Sequence, residues 1–236
     1  VKKKRPSVDE KAFLENISTR LGRPQPSGAP AREVQGAPEF YRADPLLLHG
    51  SEAQRDLALR FQEEIALLGG QAFVENSAEA ASARIRALLA DWKPRKILAW
   101  EPTELPTWDR LFLREHPDLL VPSASLSSAS FKQQAMQADL GVTSADFAVA
   151  NTGTLVLCSS PSRPRAASLA VSSHLALVRL SSLVSRLGEA FEQIAKRPSL
   201  PSAINCISGP SRTSDIENDA TIGVHGPAQV TVIFAP

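Results

Sequence analysis

From Leu46 onward the chain alternates amphipathic helical stretches with short apolar, β-prone runs, and this alternation points to an α/β architecture. Ser51-Glu52-Ala53-Gln54 fits a capping box. Leu57, Phe61, Ile65 and Leu68 form the stripe behind it, and Gly69-Gly70 stops the helix. Gln71–Val74 is β-prone, and Ser77–Ala90 reads as a helix with Ala81, Ile85, Leu88 and Leu89 on one face. Lys96–Trp100 reads as a buried strand, and Pro106–Glu115 as a helix ending before Pro117. Phe131–Leu140 reads as a helix stopped by Gly141. Phe147–Ala150 and Thr154–Cys158 are strands separated only by Asn151-Thr152-Gly153, which is too short for a crossover. His174–Val178 is an apolar strand, and Leu183, Leu187, Ala190, Phe191 and Ile194 mark a helix ending at Lys196-Arg197-Pro198. Ala203–Ile207 and Gln229–Phe234 are the last strands. The expected fold is a mostly parallel sheet flanked by helices.

The N-terminal part has a different character. Ser7-Val8-Asp9-Glu10 fits a capping box, and Phe13, Ile17 and Leu21 recur every fourth residue as one helical face. Pro24, Pro26, Pro30 and Pro38 then mark residues 23–44 as a linker. The expected organisation is a helical extension with linker over residues 1–44 and an α/β domain over residues 45–236. Lys2-Lys3-Lys4-Arg5 is followed by no apolar run, so it reads as a solvated tail rather than a secretory signal.

Charge and cysteine content exclude several classes. With 26 basic and 25 acidic residues, the net charge of +1 argues against coating a nucleic acid. The chain has only 2 cysteines, Cys158 and Cys206. A zinc ribbon or [4Fe–4S] cluster takes about four soft ligands, so no cluster is expected in this chain alone. Both cysteines lie in apolar strands and are expected to be buried and inert. No apolar run reaches membrane-span length, and a cytoplasmic protein is expected.

Three segments concentrate glycine, hydroxyls and a polar side chain. In the first, Thr152-Gly153-Thr154, the choice lies between a hairpin turn needing a positive φ at Gly153 and a hydroxyl cradle for an anion. The second runs from Ser208 to Glu217 (SGPSRTSDIE). Read as the carboxyl end of a sheet strand, it suits a ligand. Gly209 permits close backbone approach, Ser208, Ser211, Thr213 and Ser214 offer hydroxyls, and Arg212 offers a fork for carboxylate or phosphate. Ser214 is placed to cap a short helix starting at Asp215, and Asp215 and Glu217 to orient Arg212 or a substrate hydroxyl. The bland alternative is a strand–turn–helix cap with a surface ion pair. In the third, Gly223-Val224-His225-Gly226-Pro227, His225 is a candidate proton acceptor or a turn histidine bonded to backbone. His49 and His116 have no partner motif, and His174 reads as a satisfied core residue. No Walker A, G-x-G-x-x-G or G-x-S-x-G pattern occurs, and no histidine spacing suits a metal.

Gly141-Val142-Thr143, Ala150-Asn151-Thr152-Gly153-Thr154, the Ser208–Glu217 run and Gly223-Val224-His225-Gly226-Pro227, in that order, resemble the LUD-domain family, nearest to its lactate-utilization branch. The N-terminal Arg20-Leu21-Gly22-Arg23 fits the same branch. Two departures stand out: Asn151 replaces an acidic residue, and the run 168–178 lacks the family's prolines. The resemblance implies a fold similar to the sugar-phosphate isomerase and CoA-transferase superfamily. It also implies a role in oxidising L-lactate to pyruvate, with iron–sulfur clusters on partner proteins and none here. On that reading Thr152, Gly153, Thr154, Ser208, Gly209, Ser211, Arg212 and Thr213 hold a small anionic ligand, and His225, Asp215 and Glu217 are the acid–base candidates. The alternatives are a stand-alone enzyme acting on a sugar phosphate or acyl-CoA, with Glu217 as nucleophile, and a regulatory or scaffold protein.

Overall fold

The structure is a computed structural model that describes residues 51–109, 115, 117–120, 133–214, 220–223 and 225–236, together with residues 16, 19 and 20. Residue contacts divide the chain into Val1–Arg42 and Ala43–Pro236. The expected N-terminal helix face (Phe13, Ile17, Leu21), the linker, His49, His116, Asp215 and Glu217 lie outside the described residues.

Five parallel strands form the main sheet: β1 (Gln71–Val74), β2 (Ile97–Ala99), β3 (Leu140–Thr143), β6 (Ser173–Arg179) and β11 (Gln229–Ala235), in the order β1-β11-β6-β3-β2. Their near-continuous apolar sequences suit strands covered on both faces. Partners in parallel register share a face, so Gly141, His174 and Val230 lie together on one side, with Phe234 further along. Helix α1 (Ser51–Leu67) packs there, and its Phe61 ring meets Phe234 edge-on at 5.0 Å. Leu57, Phe61 and Ile65 are buried as the stripe predicts, whereas Leu68 lies beyond the helix end and is half-exposed. Helix α2 (Ala78–Trp92) covers the other face, where Arg84 stacks over Phe73 at 4.5 Å. Ser77 caps α2 through its hydroxyl, which accepts from the Ala80 N–H at 3.2 Å.

A second sheet runs in the order β7-β4-β5-β8: β4 (Phe147–Val149), β5 (Thr154–Cys158), β7 (Leu183–Val184) and β8 (Ile204–Ile207). The β4–β5 and β5–β8 pairs are antiparallel. Alternation splits its side chains: Ala148, Leu155, Leu157 and Ile207 join the main core, while Phe147, Val149, Val156 and Cys158 form a smaller core under helix α4 (Leu187–Ala195). Helix α1 is thus shared, packing on β1 and also on residues 150–152 and β7. Helix α3 (Ala166–Leu169) lies so close to β3 that a Cβ at Gly141 would overlap the Ala167 carbonyl oxygen.

The structure corrects five local expectations. Strand 204–207 belongs to the antiparallel sheet, so Ser208 does not follow a strand of the parallel one. Residues 133–135 are helical, but Leu140 begins β3 and Gly141 is a strand residue. Thr107–Asp109 is a 3₁₀ turn rather than part of an α-helix. Ser214 ends strand β9 (Arg212–Ser214), paired with Ala220 of β10 (Ala220–Ile222), instead of capping a helix. Cys206 is exposed, because β8 is an edge strand that α4 does not cover, although partial burial still pushes its thiol pKa up.

Candidate functional site

The three glycine- and hydroxyl-rich segments converge at one end of the molecule. The turn between β4 and β5 is a 3₁₀ turn, Ala150–Thr152, closed by Gly153 at φ 57°. That left-handed conformation suits glycine. A Cβ there would also lie 2.5 Å from the Ile65 amide nitrogen, so the turn packs directly on the α1 backbone. Thr152 Oγ1 and Thr154 Oγ1 are 2.7 Å apart. Pairing of Leu155 with Ile207 brings Ser208 alongside, and its Oγ lies 2.8 Å from Thr154 Oγ1. Three hydroxyls thus form a continuous chain, with Thr154 buried at its centre and Thr152 and Ser208 exposed at its ends.

The 208–211 loop also packs on the end of α1. A Cβ at Gly209 would sit 3.2 Å from both Leu68 Cβ and the Leu68 carbonyl oxygen. Arg212 Nη2 donates to that same carbonyl at 2.5 Å. An arginine on the last carbonyls of a helix is favoured by the helix dipole, so Arg212 has a structural engagement, and its other donors have no partner among the described residues. The histidine-bearing segment joins through the backbone: Ser211 N–H donates to Pro227 O at 2.8 Å, and Gly223 N–H donates to Ser211 O at 2.9 Å. His225 is exposed and lines a cavity of about 380 Å³ with Gly223, Gly226, Ser172, Leu169 and Met136. No hydrogen bond links its ring to Arg212 among the described residues.

This end of the molecule carries the amino ends of the parallel strands. Leu68-Gly69-Gly70 leads into β1, and the Ala228 N–H donates to Ser172 O at 2.9 Å where β11 and β6 begin. The segments therefore meet at the opposite end from the one that strand-end reasoning suggests. Of the sequence-predicted residues, Thr152, Thr154 and Ser208 are in direct contact, and Gly153, Gly209, Ser211 and His225 lie on the loops that frame them. Thr213 is a residue of β9, and Asp215 and Glu217 lie outside the described residues.

Sequence reasoning missed a second polar cluster, at the carboxyl ends of β2 and β3. Asp146, nearly buried, accepts from Arg163 Nη1 at 3.0 Å and Arg197 Nη2 at 2.9 Å. Its other oxygen accepts the Cys158 N–H at 2.7 Å. Glu104 accepts from Arg163 Nε and from the Ser162 hydroxyl, each at 2.7 Å. Burial alone would raise the Glu104 pKa, but these partners outweigh it and hold the carboxyl below its ordinary range. The contributing residues come from separate segments, so no local motif announced them. His174 is fully buried between these two ends; its Nε2 lies 2.9 Å from Thr143 Oγ1, and its Nδ1 has no partner. Burial lowers its pKa to about 4.

Among the described residues, no group of three His, Cys, Asp or Glu side chains is placed to hold a metal ion. No described helix is long and apolar enough to cross a membrane.

Comparison with known proteins places these features in a family context. The family model described as LUD domain matches residues 59–235. A protein of Exiguobacterium sp. called Lactate utilization protein C is 32% identical over 94% of each chain. Its namesake in Geobacillus thermodenitrificans is 31% identical over 94% of each. That of Bacillus subtilis is 29% identical, covering 96% of this chain and 95% of its own. A crystal structure of a DUF162-family protein from Deinococcus radiodurans superposes with a TM-score of 0.56, covering 78% of this chain and 98% of that one. At 21% identity this last likeness bears on the fold alone.

Proposed function

This chain belongs to the LUD-domain family, and we propose that it serves L-lactate utilization as a component without an iron–sulfur cluster of its own. The observation that carries this reading is full-length similarity: relatives named Lactate utilization protein C match 94% of the chain and 94% of their own length. The cysteine arithmetic agrees, since two cysteines do not supply the about four ligands of a cluster. Iron–sulfur partner proteins would then accept the electrons.

Oxidation of L-lactate to pyruvate removes two electrons and two protons from the carbinol carbon and its hydroxyl. The Thr152–Thr154–Ser208 hydroxyl chain and the Arg212 guanidinium are the groups proposed to hold the carboxylate. His225, on the adjoining loop, is proposed to take the hydroxyl proton. The electrons leave to an acceptor outside this chain.

The test is growth on L-lactate as sole carbon source. The gene is deleted, then complemented with wild type, Arg212→Ala and His225→Gln, with protein levels checked by immunoblot. The expected result is no growth of the deletion strain on lactate, rescue by wild type and none by either variant. Normal growth of the deletion strain, in a host with no second lactate route, would overturn the lactate role. Full rescue by both variants would retain the role and remove the site.

A further inference from the structure

A cavity of about 480 Å³ opens beside the second polar cluster, away from the three motif loops. Its floor is Cys158, Arg163 and Arg197, and residues 159–161 and 198–202 form its walls. It adjoins the residues that follow β2 and β3, such as Glu104 and Asp146, at the carboxyl end of the parallel sheet where open α/β folds bind ligands.

The two guanidiniums differ in what they have left to offer. Arg163 is fully committed: it pairs with Glu104 and Asp146 and stacks on Trp100 at 5.3 Å. Arg197 is anchored by one nitrogen only. Its Nη2 meets Asp146, and its plane stands over the Phe147 ring at 5.8 Å, while Nε and Nη1 meet no described residue. Both bidentate edges of a guanidinium include Nη2, so a fork held through one Nη2 hydrogen and shielded on one face keeps its other edge for a carboxylate. Ser199 and Ser202, on the facing wall, carry hydroxyls without a described partner.

We propose that this cavity binds a small organic monocarboxylate with an apolar body, seated on the free edge of Arg197. Charge favours the smaller anion: Arg163 and Arg197 are already balanced by Glu104 and Asp146, so a phosphate dianion would bring twice the unmatched charge of a monocarboxylate. The walls set the rest of the ligand. Pro161, Pro198, Leu200 and Pro201 are apolar, and Leu200 is 71% exposed. Capture is non-covalent, because burial and then Asp146 push the Cys158 thiol pKa up to about 11, leaving it protonated.

The test is calorimetric titration of the full chain with sodium hexanoate, sodium acetate and inorganic phosphate. Hexanoate is expected to bind saturably and about tenfold more tightly than acetate, reflecting partial burial of its methylenes at an open rim. Phosphate is expected to bind no better than acetate. Arg197→Lys keeps the charge beside Asp146 but loses the fork, and is expected to weaken hexanoate about tenfold. Leu200→Asp changes only an exposed rim position, so it leaves the fold intact, and is expected to weaken hexanoate comparably. Absence of saturable hexanoate binding, phosphate binding tighter than hexanoate, or hexanoate binding unchanged in both variants would overturn the proposal.

Discussion

The buried His174 makes folding stability depend on pH in a window where the folded and unfolded chains differ in proton uptake. The imidazole is 0% exposed, and its strand partners are Gly141 and Val230, with Thr143 as its one hydrogen-bond partner among the described residues. Helix α3 above it (AASL) carries no charge. Burial alone lowers its pKa from 6.5 to about 4. The unfolded chain therefore takes up a proton as pH falls through 6.5, while the folded chain resists until about 4. The stability that neutral His174 preserves is complete above the unfolded value and is lost on acidification. From about pH 7.5 to about pH 5 the loss works out at about 2 kcal/mol, rising to about 3 kcal/mol below both values. Asp139, held below its ordinary range first by its bond from Arg95, adds its own loss only at lower pH. Urea unfolding followed by tryptophan fluorescence at the two pH values measures the difference. In His174→Gln, which keeps a group to bond Thr143, the loss should shrink to a few tenths of a kcal/mol. A flat wild-type profile, or an equal loss in the variant, would refute the assignment.

Three further perturbations test the packing. Gly141→Ala drives a methyl group into the Ala167 carbonyl, a backbone atom that cannot step aside, and should cost about 3 kcal/mol, visible as a fall in Tm of roughly 10 °C. Asp146→Asn leaves Arg163 and Arg197 without their shared counter-charge and should cost about 3 kcal/mol in urea unfolding, the low end for buried pairs because both arginines are partly exposed. Thr154→Val removes the central hydroxyl between Thr152 and Ser208 and should cost about 1–2 kcal/mol with an unchanged circular dichroism spectrum; an unaffected midpoint would mean that water replaces those bonds fully.

What the sequence reveals depends on the range of the interaction. The Leu57-Phe61-Ile65 stripe of α1, the helix starting near Ser77, the buried strand after Lys96 and the positive φ of Gly153 are each fixed within a few residues, and each appears as the local pattern predicts. Pairing partners are not local. Ile204–Ile207 has the composition of a strand in either sheet, and only its register with β5 assigns it to the antiparallel one. The exposure of Cys206 follows from that edge position rather than from its apolar neighbours. Leu140 reads as a helix end stopped by Gly141 because glycine usually stops helices, whereas both begin a strand and Gly141 serves the close approach of α3. Asp146, Arg163 and Arg197 come from three loops with no shared spacing, and only the fold brings them to one cavity.

The motif loops mix two kinds of residue, and the packing separates them. Gly153 lies against the Ile65 backbone and Gly209 against Leu68, and a Cβ added at Gly226 would lie 3.2 Å from Ser211 Cβ. Gly153 is explained by a backbone approach that a side chain would obstruct and Gly209 by its φ of 129° beside Leu68, whereas a Cβ at Gly226 would make only a tight contact, so the first two say nothing about a ligand. Arg212 is partly explained in the same way, through the Leu68 carbonyl. The hydroxyls of Thr152 and Ser208 bond Thr154 yet stay exposed, and the packing does not explain the imidazole of His225, which lines an open cavity. An exposed polar group that supports no neighbour is where chemistry can reside without cost to the fold. Substitutions at Gly153 and Gly209 would strain the loops and confound any reading of the reaction. His225→Gln and Ser208→Ala remove reactive groups while leaving the backbone approaches intact, so a loss of growth on lactate from these two, with Tm unchanged, separates a working site from a packing motif.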